Sequence, residues 1–178
     1  MSVCATDSVA GATSTTTRLP LHRPAFSFPP HPHPTSTMVR HFVSDDGIRI
    51  AVGENAAQNQ ALVGAARQND EWVHLASGPS AHALVALTGV SPTPSPAAVR
   101  AAVADAGQLV KHYSPAARGV SAVSIIHCPA KFVSKKGVED SVGAVTLKKA
   151  PTTVVVVRNE EALARLLGGG GVKQGKKK

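Results

Sequence analysis

The chain has 178 residues, a length typical of one domain, and 43% of them are hydrophobic, which is enough for a buried core. Aromatic residues make up only 3%, which argues against an aromatic base-stacking platform, and no apolar run reaches the roughly 18 residues that a membrane helix needs. The formal charge is +8, but residues 38–167 hold 13 basic and 10 acidic side chains, so the surplus is concentrated near the ends and is weak evidence for a polyanionic partner.

The two ends differ in composition from the middle of the chain. Residues 1–37 are rich in Ser, Thr and Pro and predict a disordered tail, with an organellar transit peptide as the alternative. Residues 168–178 are rich in Gly and Lys and predict a second disordered tail. The folded domain is therefore predicted at residues 38–167. We expect a cytoplasmic protein, or an organellar one if the first segment is cleaved.

The domain begins with signals for a hairpin followed by a helix. Alternating residues at 41–44 and 48–52 predict two strands, and Asp45-Asp46-Gly47 between them predicts a type I′ turn. Asn55 is a good N-cap for a helix from Ala56 to about Gln68. One apolar stripe is predicted to pack on the sheet: Ala57, Ala61, Leu62 and Ala65.

Two further strands follow this helix. Residues 71–75 alternate, which predicts Trp72 and His74 on one face of the sheet, and residues 82–87 form another apolar run. We expect Trp72 to be a core residue, the alternative being an exposed ring that stacks on a base or partner. A loop then leads to Ser95, the predicted cap of a long helix over residues 97–113. Its outward residues are predicted to be Arg100, Asp105, Gln108, Lys111 and His112.

The last third of the chain alternates strands with loops. We predict a central strand at 120–128, a strand at 144–148, an interior strand at 152–157 because it is apolar on both faces, and a short helix ending at Leu167. The predicted fold class is α/β (α+β), with a mixed, mainly antiparallel sheet, two principal helices packed on it, and disordered termini.

Three motifs carry a resemblance to a known family. They are D-G-x-x-I-x-V-G-x-x-A-x-x-N from Asp46 to Asn59, D-x-W-x-H from Asp70 to His74, and S-x-H from Ser80 to His82. Together they resemble the NFACT-R (NFACT RNA-binding) domain family, as a stand-alone member. The residues that match are Asp46, Gly47, Gly53, Asn55, Asn59, Asp70, Trp72, His74, Ser80 and His82.

The resemblance implies an RNA-binding protein without catalysis or cofactor. It implies tRNA or rRNA and a ribosomal subunit as partners, in ribosome association or translation quality control. Two other classes stay open: a protein–protein interaction adaptor on a ribonucleoprotein, and a small hydrolase or nuclease. Salt-sensitive binding would distinguish RNA from an apolar protein contact.

Basic residues in the second half are the candidate RNA contacts: Lys131, Lys135, Lys136, Lys148 and Lys149, with Arg49 or Lys111 at the margin. They would come together if the strands at 120–128 and 144–148 were neighbours. The alternative is a solvated surface balanced by Glu139 and Asp140. Glu54 follows Gly53, where the family usually has a basic residue, so we expect affinity to come from the C-terminal half.

Histidines are the remaining candidates for chemistry. The four in question are His74, His82, His112 and His127. No Asp or Glu lies at metal-ligand spacing beside them, and neither Cys4 nor Cys128 has a zinc-binding spacing. We therefore expect structural hydrogen bonds for these residues, with no metal site and no disulfide.

Overall fold

The computed structural model describes residues 38–168, so the predictions for residues 1–37 and for the tail after Gly168 fall outside the described residues. The described strands are β1 Arg40–Val43, β2 Arg49–Gly53, β3 Glu71–Leu75, β4 His82–Val85, β5 Ala122–Pro129, β6 Val133–Ser134, β7 Thr146–Leu147 and β8 Thr152–Val157. The α-helices are α1 Ala56–Ala65, α2 Pro96–Tyr113 and α3 Glu160–Gly168, and two short 3₁₀ helices lie at Pro115–Ala117 and Ala130–Phe132.

The main sheet has the strand order β1-β2-β4-β3-β5-β8, and each of its described pairings is antiparallel. The predicted α+β class is confirmed. Strands β6 and β7 form a separate two-stranded hairpin. The strand at 120–128 therefore does not pair with the strand at 144–148, because β5 lies between β3 and β8.

The first hairpin is confirmed, but its turn differs from the prediction. Gly47 N donates to Ser44 O at 2.9 Å, which places Asp45 and Asp46 in the central positions and Gly47 after them. Gly47 has φ +76°, and Ser44 N bonds to Ile48 O, so the loop has three residues. A three-residue loop that ends in a left-handed glycine is a common alternative to the two-residue type I′ loop. The predicted type I′ turn is therefore wrong.

Helices α2 and α3 cover one face of the sheet. Helix α2 begins as predicted, with Ser95 Oγ accepting from Ala98 N, and its buried face packs on β3, β4 and β5. It approaches the sheet closely at Gly107, where a Cβ would lie 2.8 Å from a methyl group of Val156 and 2.9 Å from one of Ile125. Helix α3 adds Leu163 and Leu166 to this core.

Two residues of α2 that were predicted to point outward are buried. Asp105 accepts from Arg165 Nη2 at 2.8 Å, and Lys111 Nζ donates to Ala117 O at 3.1 Å with the side chain 3% exposed. The first partner comes from α3 and the second from the 3₁₀ helix after α2. The periodicity of α2 alone could not reveal either partner, so the outward prediction is wrong for both residues.

Helix α1 and the β6–β7 hairpin cover the opposite face. Leu62 of α1 packs with Trp72, Leu84 and Cys128, which confirms Trp72 as a core residue. The rest of the predicted stripe is exposed: Ala57, Ala61 and Ala65. The buried polar residues of α1 are Gln58 and Asn59. Hydrogen bonds to neighbouring backbone groups hold these amides against the sheet. They stabilise this orientation of the helix more than burial of the small alanine side chains would.

Strand β8 was predicted to be interior and is an edge strand among the described residues. Its one described neighbour is β5. Val155 and Val157 are 64% and 63% exposed, whereas Val156 is buried beneath α2. Valine is common in β-strands whether one face or both faces are buried. The run of valines therefore predicted the strand correctly but not its position in the sheet.

Candidate functional site

A cleft of about 770 Å³ opens at one end of the sheet, on the face that α1 covers. Its floor includes Trp72, His74 and His82 from β3 and β4. The walls are the turn between those strands, the first turn of α1, and the loop at residues 142–145. A cleft of this size lies in the range of small-molecule sites.

Three aromatic rings meet at the floor of this cleft. The rings of Trp72 and His74 stack nearly parallel, with centroids 5.3 Å apart and an interplanar angle of 8°. The ring of His82 stands edge-on to both, 5.3 Å from Trp72 and 4.8 Å from His74. The alternation of β3 placed Trp72 and His74 on one face as predicted, and the antiparallel pairing with β4 brings in His82.

The imidazoles at the floor are uncharged near neutral pH. Trp72 Nε1 donates to His82 Nδ1 at 3.2 Å, so neutral His82 carries its proton on Nε2. Burial is the main cause that lowers the pKa of His82 to about 3, with smaller contributions from repulsion by protonated His74 and by Lys135. Burial also lowers the pKa of His74, against the opposing effect of its hydrogen bond to Leu75 O.

The motif amide and hydroxyl side chains hold the cleft walls together. Asn59 Oδ1 accepts from His82 N and Asn59 Nδ2 donates to Ser80 O, both at 3.2 Å. Ser80 Oγ accepts from Leu75 N at 3.2 Å. A Cβ at Gly53 would lie 2.6 Å from Asn59 Oδ1, so glycine is required for this contact. As predicted, Asn55 caps α1 and accepts from Gln58 N.

Four motif residues lie outside the cleft lining: Gly53, whose contact with Asn59 is described above, and Asp46, Gly47 and Asp70. Asp46 and Gly47 form the first hairpin turn. Asp70 is buried at the other end of β3, where it accepts from Arg67 N at 2.9 Å and from Leu87 N and Thr88 N at 3.0 Å each. Burial alone would raise the pKa of Asp70, but these backbone donors outweigh it and hold the pKa below its ordinary value. Its geometry is that of a structural carboxylate.

The five candidate lysines lie on one segment, residues 131–149, which we call the basic hairpin. Lys131 Nζ and Lys149 Nζ lie 5.4 Å and 4.7 Å from the centroid of the Phe132 ring. Lys148 N donates to Phe132 O at 2.8 Å, which fixes the base of the hairpin. Pairing of β6 with β7 thus brings these lysines together, rather than the predicted pairing of the strand at 120–128 with the strand at 144–148.

Within residues 38–168, none of the five lysines forms a salt bridge with a carboxylate. Four of them are exposed: Lys131, Lys136, Lys148 and Lys149. Lys135 is half-buried, and its ammonium donates to Ser141 O at 2.8 Å and to Ala144 O at 2.9 Å. Because Ala144 lines the cleft, Lys135 ties the tip of the hairpin to the cleft wall.

The two marginal candidates have different positions. Arg49 is exposed on β2, three strand positions from β5, roughly 14 Å away at ordinary strand spacing. Lys111 is buried on the opposite face and does not belong to this surface.

Arg67, a further basic residue near the hairpin, was not predicted as a candidate contact. It is exposed just after α1, and Lys131 N bonds to Gln68 O beside it at 3.2 Å. A basic residue beside a predicted helix end was the available signal.

The loop that closes the cleft was also missed. We predicted a strand from Ala144, but the ladder covers only Thr146–Leu147, and residues 142–145 form a wall. Gly143 has φ +80°, and a Cβ there would lie 2.7 Å from Ala56 Cα. The absence of a side chain at Gly143 therefore permits both the turn and the close contact with α1.

The described residues contain neither a metal-binding cluster nor a membrane-spanning helix. No group of three or more His, Cys, Asp or Glu side chains within residues 38–168 is placed to hold a metal ion. Among the helices of the same region, none is both long and apolar enough to cross a membrane.

The fold and site define a class of small α+β domain in which a cleft with an uncharged aromatic floor lies beside a hairpin whose lysines form no salt bridge within residues 38–168. The chain belongs to the family described as "NFACT protein RNA binding domain", whose model matches residues 38–149. A comparison with curated proteins gave no significant match.

A solved structure supports the same fold. It is the C-terminal part of the fibronectin/fibrinogen-binding protein from Streptococcus suis, with 25% identity and a TM-score of 0.60. The match covers 72% of this chain and 48% of that one, so the chain spans about half the length of the structure it resembles.

Proposed function

We propose that the domain binds RNA, without catalysis, through the exposed lysines of the basic hairpin. The observation that carries the proposal is that Lys131, Lys136, Lys148 and Lys149 share one hairpin and form no salt bridge with a carboxylate among residues 38–168. Unpaired ammonium groups attract phosphates and release condensed counterions. Membership of an RNA-binding domain family supports the same reading.

The proposal extends to a setting. We infer that the RNA is tRNA or rRNA, bound at a ribosomal subunit in ribosome association or translation quality control, in the cytoplasm. If residues 1–37 act as a transit peptide, the compartment is an organelle instead. Crosslinking of the protein in cells, followed by sequencing of the attached RNA, would identify the partner. Recovery of mostly messenger RNA would contradict this part of the proposal.

The phosphate contacts can be tested by reversing charge at the base of the hairpin. The double change Lys131→Glu and Lys149→Glu should weaken binding to a short structured RNA at least about tenfold, ~1.4 kcal/mol. The salt dependence of binding should also become shallower, by about one unit of slope for each lost contact. Both side chains are exposed, so we expect the domain to stay folded.

Two controls isolate the hairpin. Arg100→Glu makes the same kind of charge change at an exposed position of α2, on the opposite face of the sheet, and should leave the salt slope near that of the wild type. A chain that ends at residue 168 removes the tail lysines. If this truncation abolishes binding while the double variant binds normally, the attraction belongs to the tail and the proposal fails.

A protein-binding adaptor is the second candidate, favoured by the edge strand β8. Val154, Val155 and Val157 are exposed there, and β8 has one described strand neighbour. An exposed apolar edge can add a strand from a partner. Such a contact would resist high salt, so association with ribonucleoprotein that survives 0.5 M salt would favour this candidate over RNA binding.

A further inference from the structure

The cleft is chemically unlike the basic hairpin beside it. Its floor is aromatic and its two imidazoles are neutral at pH 7. The nearest hairpin ammonium, that of Lys135, is already bonded to two carbonyl groups. Glu54 also lines the cleft, with its carboxylate ion-paired to Arg40. A phosphate would gain little in this cleft, so the phosphate contacts of the hairpin do not explain it.

We propose that the cleft binds one unpaired nucleobase of the RNA whose phosphates contact the basic hairpin. This inference rests on the proposed function. We expect the occupant to be planar and uncharged, because the floor presents the half-buried ring of His74, which stacks on buried Trp72. Single-stranded bases are recognised in this way, by stacking and by bonds to their edges.

The layout of the hairpin favours a nucleotide over other planar ligands. Lys135 Nζ bonds to Ala144 O in the cleft wall, and Lys136 follows it in sequence with its side chain exposed. The cleft wall and the ammonium of Lys136, which forms no salt bridge among the described residues, therefore belong to one hairpin loop. A nucleotide has the matching arrangement, with an uncharged base joined to a charged phosphate.

Trp72 provides a direct reporter, since it is the one tryptophan of the chain and lies at the cleft floor. AMP at millimolar concentration should change its fluorescence with saturation, whereas ribose 5-phosphate, which lacks the base, should not. An RNA hairpin with a four-nucleotide single-stranded end should bind at least about tenfold more tightly than a blunt duplex of equal length and charge. The affinity ratio of the two RNAs cancels most of the general electrostatic attraction.

A matched pair of variants tests the location. Val142 lines the cleft and is 60% exposed, whereas Val155 is 64% exposed on β8, away from it. Val142→Glu should bring the affinity ratio close to one, and Val155→Glu should leave it unchanged. His74→Ala should reduce the AMP signal as well, without altering the salt slope. Circular dichroism confirms that each variant is folded.

The outcomes separate this inference from the function on which it rests. Equal affinity for the two RNAs, together with a normal salt slope and no AMP signal, would overturn the nucleobase site and leave RNA binding intact. Absence of binding to both RNAs by folded wild-type protein would overturn both proposals. A preference for the unpaired RNA that Val142→Glu does not change would place the base elsewhere and overturn the inference.

Discussion

Lowering the pH from 7 to 5 should destabilise the domain through His82. This side chain is 3% exposed, accepts the indole N–H of Trp72, and has a pKa lowered from 6.5 to about 3. Between pH 6.5 and about pH 3, His82 binds a proton in the unfolded chain but not in the folded chain. The free energy of unfolding therefore falls as the pH falls through 6.5, and the loss continues until about pH 3.

The magnitude follows from proton linkage. With the unfolded and folded pKa values of 6.5 and about 3, His82 alone removes about 2 kcal/mol of stability between pH 7 and pH 5. At pH 5 the folded imidazole is still neutral, so the unfolded state sets nearly the whole effect. Besides burial, repulsion from His74, once that imidazole is protonated, and from Lys135 lowers the pKa of His82. Protonation of His74 would therefore act in the same direction.

Urea unfolding at pH 7, 6 and 5, followed by circular dichroism, measures this effect. In His82→Asn the amide oxygen can accept the Trp72 indole N–H, but no group titrates there. The variant should lose about 2 kcal/mol less than the wild type between pH 7 and pH 5. His41→Asn removes an exposed imidazole and serves as the control. Parallel pH profiles for the wild type and His82→Asn would refute the reasoning.

Two other changes test the supports of the site. Asp70→Ala leaves three backbone N–H groups without their acceptor and should cost about 3–5 kcal/mol in urea unfolding, whereas Asp140→Ala at an exposed position should cost little; equal stability of the two variants would contradict the assigned role. Gly143→Ala should lower the melting temperature more than Gly137→Ala does. Both glycines have positive φ, but a Cβ would meet Ala56 only at Gly143, so equal losses would show that the contact with α1 is unimportant.

Local chemistry predicted the parts of the fold that depend on a few neighbouring residues. The caps Asn55 and Ser95 accept the expected backbone N–H groups because such caps need only a polar side chain before a helix. The alternation of β3 placed Trp72 and His74 correctly because the strand period is fixed. Among the motif residues of the cleft, Asn55, Trp72, His74 and His82 also had a signal of their own in the sequence, whereas Ser80 was identified through the family resemblance.

Failures occurred where a distant segment supplies the partner. Helix α1 buries Gln58 and Asn59, whose hydrogen bonds run to Met38, Ser80 and His82. Periodicity counts apolar residues and cannot detect amides that find acceptors about 20 positions away. Lys111 has a nearer partner that the period of the helix also cannot reveal: Ala117 O, six residues later in the following 3₁₀ helix, accepts a hydrogen bond from its ammonium.

Lys135 links the two halves of the site. It is the same residue type as its neighbour Lys136, yet its ammonium is bonded to two carbonyls of the loop that leads to the cleft wall. Lys135 therefore stabilises the conformation of this loop more than it adds free charge. Its positive charge also acts on His82 and helps to keep that imidazole neutral. A change at Lys135 would thus alter the hairpin tip, the cleft wall and the charge of the floor together. Weaker RNA binding in such a variant could not be assigned to a lost phosphate contact, which is why Lys131 and Lys149 are the informative positions.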